Sequence, residues 1–577
     1  MSAQENHPLD SAATQNTNPA HTDWFNGRGV VLLAAIFFVT MLPIVVAGSR
    51  YFGDEHFYTD GAIRMVQKGD YFTPYYMTDD GLPHFNKPIF TYWMVATSYL
   101  AFGISFLSSR LPFLIAGCLL LWVTYKTSLM LVHRPQESFV AAVIILSDFL
   151  LFSSSPRSTP DIFQCLFLSA SLYGFMDIIF NRNKTVMNYG LAYVGAALAV
   201  ETKGIPGFFP IIFAFLFCSL RRRHGVKPSD LFDWRSIIAG ATIALFWFVV
   251  VYCKRGNAAL QGFYADQVSN NLHRDAVTFL ANCWYYLRES ASFFFPWFVL
   301  VLLALCLDAK AVRSFFREHR EVCLFVGAWY LVFLMIFSMA GLNRGRYMFP
   351  THPLLAVVIS SLLARVMNES RAARLIRRTF SVFLLSGVVY GFVLILAGAF
   401  IAQRMLVGGV LALCVTLALY VISRRTDYHY GFAALGLCLF FMFSIQDIFV
   451  RPNFDISPAP MMTQRLLQRG LQGGTVIGVG LERFTLSNIE VLSGGLIEGR
   501  NLRATTAPGE LDHYTVLLLS NSVRQRWNAQ GYNVEECGYT LAQFNVSDLW
   551  TMITRQNKET VFATKKTPFY LAVRQSS

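Results

Sequence analysis

Apolar stretches of about twenty residues recur along almost the whole chain, and this limits its fold more than any other feature. Each is long enough for a helix to cross a hydrocarbon core of roughly 30 Å. Inside lipid a segment must satisfy its own backbone polar groups, so helices are the expected element. Only 14% of the 577 residues are charged and 54% are apolar, whereas a soluble chain carries about a quarter charged residues. The expected fold is an all-α polytopic membrane protein. Candidate spans are 30–48, 110–131, 137–152, 161–180, 188–203, 205–220, 236–252, 290–307, 322–340, 351–366, 380–402, 406–422 and 430–450, about thirteen in all. The first lacks the basic leader of a cleaved signal peptide and is expected to stay as an anchor.

A net charge of +13 raises the question of nucleic acid. The positive residues instead fall in short loops between alternate spans: Arg221, Arg222, Arg223 and Lys227; Lys310, Arg313, Arg317 and Arg320; Arg371, Arg374, Arg377 and Arg378; Arg424 and Arg425. That is the positive-inside pattern. No base-reading motif accompanies it, so no nucleic-acid partner is expected. With an odd span count, the amino terminus lies inside and the carboxy terminus outside. Most of the ten cysteines sit in apolar spans as small hydrophobes. Cys253 and Cys283 flank one external loop and can pair.

Three regions follow. Residues 1–28 are polar and read as a disordered cytoplasmic tail. Residues 29–450 form the membrane domain, with a first external loop at 49–109 and a second at 253–289. Residues 451–577 form a small external α/β domain, with strands expected at Thr475–Val479 and Tyr514–Leu519 and a helix at Ser522–Gln530. In the first loop Tyr58, Ala62, Met65 and Val66 fall on one helical face, as in a helix lying along the membrane interface. The apolar segment 88–103 reads as a second interfacial helix, with a re-entrant or spanning segment as the alternative. No internal repeat of the kind found in secondary transporters is evident.

The ionisable residues gather at the outer edges of spans. Asp54 and Glu55 follow Gly53, and either can cap a helix or face a substrate. Lys87 precedes Pro88 in an aromatic run, Lys203 ends Glu201-Thr202-Lys203, and Arg157 and Asp161 stand in Pro156-Arg-Ser-Thr-Pro-Asp161. Arg344, Arg346 and Tyr347 precede Pro350. Each cation alone can be snorkelling to the interface. Together, on different spans, they fit a site for a membrane-embedded phosphate, which arginine and lysine are suited to hold. His273 is a possible ligand or proton carrier, but no second histidine or cysteine stands at ligand spacing, so no metal site is assigned. Tyr285, Tyr286 and Trp297 read as an aromatic belt.

Asp54-Glu55, Gly69-Asp70-Tyr71 with Pro74, Lys87-Pro88 with Tyr92-Trp93, and Arg110-Leu-Pro112 resemble the first external loop of C-type glycosyltransferases of the protein-mannosyltransferase-like superfamily. Within it the chain looks most like the bacterial enzymes that add aminoarabinose to lipid A. Thr202-Lys203-Gly204, Arg346-Tyr347 with Pro350, the span count and the external tail domain fit as well. Asn86 stands where the family usually has Glu, and the tail shows little match.

The resemblance implies transfer of a sugar from a polyprenyl-phosphate donor to an outer-leaflet lipid acceptor, with inversion, at a bacterial inner membrane. Lys87, Lys203 and Arg346 would stabilise the leaving phosphate, joined in substrate binding by Tyr347, Arg157 and His273. Asp54 would orient or deprotonate the acceptor, with Glu55 and Asp161 in support. No cofactor is required by this scheme, and it leaves a divalent metal open. A protein O-mannosyltransferase is the alternative within the enzymes, and a lipid or small-molecule transporter the alternative outside them.

Overall fold

Helices carry the chain as far as residue 453, and a five-stranded sheet follows. The computed structural model describes residues 25, 27–47, 51, 53–74, 87–221, 226–267, 275–340, 343–369, 372–425, 427–470, 474–481, 483–502, 516–523, 532–543, 548, 551–552 and 558–574. Among them, nine helices are long and apolar enough to cross a membrane. Helices Ala276–Phe293 and Trp297–Leu307, bent by 97° where they meet, make a tenth if taken as one span. The other expected spans coincide with Pro135–Leu146, Val186–Lys203 and Ile205–Leu220. Pro135–Leu146 has 12 residues, a rise of about 18 Å that falls short of the hydrocarbon core. All thirteen expected spans therefore fall on helices, but not all are membrane-crossing by length and composition alone.

Helices Asp161–Asn181 and Val186–Lys203 form a hairpin, and its antiparallel arms return residue 203 to the level of residue 161. The carboxylate then sits in the first turn of one helix and the ammonium in the last turn of the next, where each helix dipole favours its sign. Ion pairs at the opposite end, Arg221 with Glu321 and Arg365 with Glu318, join the loops that hold the basic clusters.

The first loop departs from expectation. Helix Glu55–Lys68 is not spread along a lipid interface. It packs against helix Phe90–Phe102 on one side and Arg483–Leu492 of the carboxy-terminal domain on the other, with ten of its 14 residues buried. Helix Phe90–Phe102 buries Tyr92, Val95 and Tyr99 while leaving Leu100 and Phe102 exposed, as an interfacial helix would. Tyr286 and Trp297 are also not a belt. They are 0% and 1% exposed inside the bundle, and the Trp297 indole donates to Ser147 Oγ at 2.8 Å. Cys253 and Cys283 are both free thiols.

The carboxy-terminal sheet has strands β1 (Thr475–Val479), β2 (Glu498–Leu502), β3 (Val516–Ser520), β4 (Tyr532–Leu541) and β5 (Lys566–Arg574), in the order β2-β1-β3-β5-β4. β1 is parallel to β2 and β3, while β5 is antiparallel to β3 and β4. A parallel pair needs a crossover, which Arg483–Leu492 supplies between β1 and β2. The expected strand at 475–479 is present as stated, and the second is seen at 516–520, with 514 and 515 outside the described residues. Most of the expected helix 522–530 lies outside the described residues.

That crossover helix is the contact with the first loop. Ser487 Oγ donates to Asp60 Oδ2 at 2.7 Å, Arg64 pairs with Glu490 at 2.7 Å, and the Tyr51 N–H donates to Asn488 Oδ1 at 2.7 Å. Asp60 and Glu490 are 1% and 0% exposed, and burial pushes their carboxyls up to about 7 and about 8 against the partial opposition of Ser487 and Arg64. Between an unfolded value near 4 and these folded values, the docked form binds more protons, so docking weakens as pH rises. Amide exchange in 483–492, corrected for intrinsic rate, is expected to quicken from pH 6 to pH 9. Glu490→Gln should flatten that slope. An unchanged slope in the variant would show that these carboxyls do not govern docking.

Candidate active site

Gly53 has φ 55°, a left-handed conformation that turns the chain into helix Glu55–Lys68. Asp54 occupies the N-cap position, yet its side chain makes no capping hydrogen bond. It accepts instead from Arg344 Nη1 at 3.0 Å and Arg346 Nη2 at 2.7 Å, both on Oδ2. Burial raises the Asp54 carboxyl, but Arg346 and Arg344 outweigh it and hold the group below its ordinary value. Asp54 is therefore a carboxylate bound to cations across the fold and not a helix cap.

Those arginines begin the 3₁₀ segment Gly345–Thr351, which leads into the span ending at Asn368. Gly345 between them approaches helix Ala276–Phe293 closely. A Cβ there would lie 2.8 Å from the Phe293 ring, and the Gly345 N–H donates to the Tyr285 hydroxyl at 3.2 Å. Tyr285 thus holds the arginine loop, a role its place in a row of aromatics does not reveal.

Arg346 also reaches Asp161, Nη1 to Oδ2 at 3.6 Å, and Lys203 Nζ lies 2.6 Å from Asp161 Oδ1. Gly204, at φ 79° and ψ −129°, ends the helix behind Lys203 in a conformation that strongly favours glycine. The Lys203 ammonium lies 4.8 Å from the Tyr347 ring centroid, a cation–π arrangement. Lys87 is half-buried and close enough for its charge to act on the Tyr347 phenol. A cavity of about 460 Å³ opens onto this group, lined by Asp54, Arg157, Thr159, Asp161, Arg344 and Arg346 among others.

Asp54, Arg157, Asp161 and Arg346 therefore share one cavity wall, with Lys203, Tyr347 and Lys87 set around it. Glu55 does not line the cavity. It is 0% exposed and fixed by Arg110, Nε to Oε1 at 3.0 Å and Nη2 to Oε2 at 3.1 Å, and by the Ser158 N–H at 2.9 Å. Because Ser158 adjoins Arg157, this buried pair joins the Asp54 turn to the Arg157–Asp161 loop. A reacting role does not suit Glu55, and a positioning role does. His273 lies outside the described residues. Arg344 and Arg110 complete the arrangement. Arg344 had a signal, two residues from Arg346 in the same motif, and so did Arg110, an arginine entering an apolar span and in need of a carboxylate.

Residues 86–253 match the family of dolichyl-phosphate-mannose-protein mannosyltransferases. Two curated relatives are undecaprenyl phosphate-alpha-4-amino-4-deoxy-L-arabinose arabinosyl transferases. The Pseudomonas fluorescens protein is 23% identical over 65% of this chain and 63% of its own length, and the Yersinia enterocolitica protein 26% identical over 64% and 65%. The matched region thus spans less than two thirds of these relatives. In fold the likeness extends over nearly the whole chain. ArnT from Cupriavidus metallidurans bound to undecaprenyl phosphate superposes with a TM-score of 0.68 at 16% identity, over 96% of this chain and 99% of that one. The apo form gives 0.67 at 16% identity, over 90% and 97%.

The chain is a multi-pass membrane protein with the C-type glycosyltransferase fold, and its residues 86–253 match the protein-mannosyltransferase family. Among known proteins it resembles the aminoarabinose transferases.

Proposed function

We propose that the chain is an inner-membrane glycosyltransferase that moves a sugar from a polyprenyl-phosphate donor to lipid A or a related glycolipid. The observation that carries this reading is the cavity wall on which Asp54 meets Arg344 and Arg346, with the Asp161–Lys203 pair beside it. The curated relatives named for undecaprenyl-phosphate aminoarabinose transfer support the substrate class.

A sugar–phosphate bond breaks easily when the departing phosphate is stabilised as it gains charge. The donor diester carries one negative charge, and the leaving monoester carries up to two. Arg344, Arg346, Lys203 and Lys87 provide preorganised positive charge at one end of the bundle, around the cavity. Asp54 orients the acceptor. Where the acceptor is a hydroxyl, Asp54 removes its proton, and where it is already an ionised phosphate, positioning suffices. Attack opposite the departing phosphate inverts the anomeric carbon. Asp161 fixes Lys203 and Arg346, and Glu55 fixes the turn that presents Asp54.

Because the charged wall lies at the opposite end from the basic loops, this reading puts it on the periplasmic side with the carboxy terminus, and the amino terminus in the cytoplasm. A phosphatase reporter fused after Ser577 should be active. An active cytoplasmic reporter there would overturn this orientation.

Mass spectrometry of lipid A and membrane glycoproteins, with and without this gene, tests the reaction. The expected result is a pentosyl or hexosyl group on lipid A that disappears with the gene. A gene-dependent sugar on protein would instead favour the O-mannosyltransferase reading, and no change in any glycan would overturn the assignment.

A further inference from the structure

Asp54 and the donor phosphate, on the function proposed above, need the same two arginines. Both guanidiniums converge on the single oxygen Oδ2, and these side chains are 38%, 43% and 29% exposed for Asp54, Arg344 and Arg346. The Glu55–Arg110 pair next door is 0% and 2% exposed. One ion pair is sealed in the core and the other opens onto the cavity, where a second anion can reach it. Arg346 also has Asp161 as a partner at 3.6 Å, so it keeps its place when Asp54 leaves. Arg157, Lys203, Arg344 and Arg346 gather at this wall with Asp54 and Asp161, so four cations stand where a second anion can enter. A phosphate offers several oxygens to a guanidinium fork, where Asp54 offers both arginines a single one.

We infer that Asp54 is an internal occupant of the donor-phosphate site: arriving polyprenyl phosphate takes Arg344 and Arg346 from it and frees the carboxylate for the acceptor. The donor thereby binds first, and Asp54 becomes available only in loaded enzyme. The arginines that suppress its proton affinity turn to the phosphate, while burial, which raises it, remains. Before the donor arrives, the carboxylate is weakly basic and tied down. Afterwards it is more basic and free to turn to the acceptor.

The exchange has a signature that an ordinary substrate-contacting carboxylate lacks. Removing Asp54 should tighten donor binding, because a competitor is lost. The experiment measures affinity of the purified full-length chain in lipid nanodiscs for sugar-free polyprenyl phosphate, the leaving group itself. Asp54→Asn and Asp54→Ala should each bind about tenfold more tightly than wild type, and Arg344→Gln and Arg346→Gln about tenfold more weakly. In the Asp54→Asn, Arg344→Gln double variant the gain should shrink, since the residues couple through contact. Unchanged or weaker binding by both Asp54 variants, with the arginine variants still impaired, would overturn the exchange and leave the proposed function standing. Failure of wild type to bind polyprenyl phosphate at all would instead overturn the function on which the exchange rests.

Discussion

Asp54→Asn should yield a protein that folds, enters the membrane and binds donor, yet transfers sugar at least about a hundredfold more slowly, the lower end of what a positioned acid or base contributes. The structure removes the usual objection to such a variant. Asp54 stands at an N-cap without using its side chain as a cap, and Asn is itself a good N-cap residue. Lost activity therefore reports on the carboxylate and not on helix Glu55–Lys68. Single-turnover transfer with donor preloaded separates the chemical step from binding. Wild-type turnover under those conditions would remove Asp54 from the mechanism.

Glu55→Gln should fail differently, by loss of fold. Glu55 and Arg110 form a two-point pair inside the protein, and the Arg110 guanidinium lies 5.3 Å and 5.1 Å from the Tyr51 and Phe106 ring centroids. Gln keeps the size but leaves a buried cation without its counter-charge, at a cost of about 3 to 5 kcal/mol. The expected readout is a clearly lowered unfolding temperature and poor recovery from the membrane. Pairing it with Arg110→Met should restore part of the loss, because the stranded charge is gone. A Glu55→Gln protein as stable as wild type would contradict the structural role given to this pair.

These two carboxylates are neighbours in sequence, and their divergence marks where sequence reading stops. Successive residues entering a helix point about 100° apart, so one faces the cavity and the other the core. Composition and spacing cannot tell which is which. The spans were legible because lipid imposes length and apolarity, and the antiparallel hairpin of 161–203 followed once they were placed. Asp54 and Arg346, by contrast, lie 292 residues apart. Only their shared position at the outer ends of spans hinted that they meet. The apolar stripe of helix Glu55–Lys68 was read as facing lipid because an amphipathic pattern reports burial without naming the partner, and here the partner is a soluble-type helix from the other end of the chain. Tyr285 and Trp297 misled for the same reason, being amphipathic side chains that serve equally well at an interface or as internal donors and acceptors.

The seating of the carboxy-terminal domain on helix Glu55–Lys68 also sets a timetable. Tyr51 and Asn488, joined by a buried hydrogen bond, are separated by 437 residues. At roughly 5 to 20 residues per second, a ribosome needs tens of seconds to cover that distance. For that interval a nascent chain has its first span in place while Asp60 waits, on the helix that presents Asp54, for the serine that will cover it. The charged wall therefore reaches its final form late in synthesis, after nearly every span has been inserted. A chain broken off before residue 483 would carry the arginines, the lysines and Asp54, yet lack the surface that holds the Asp54 helix in place. Maturity of the reactive end is in this sense certified by a domain that emerges after the spans.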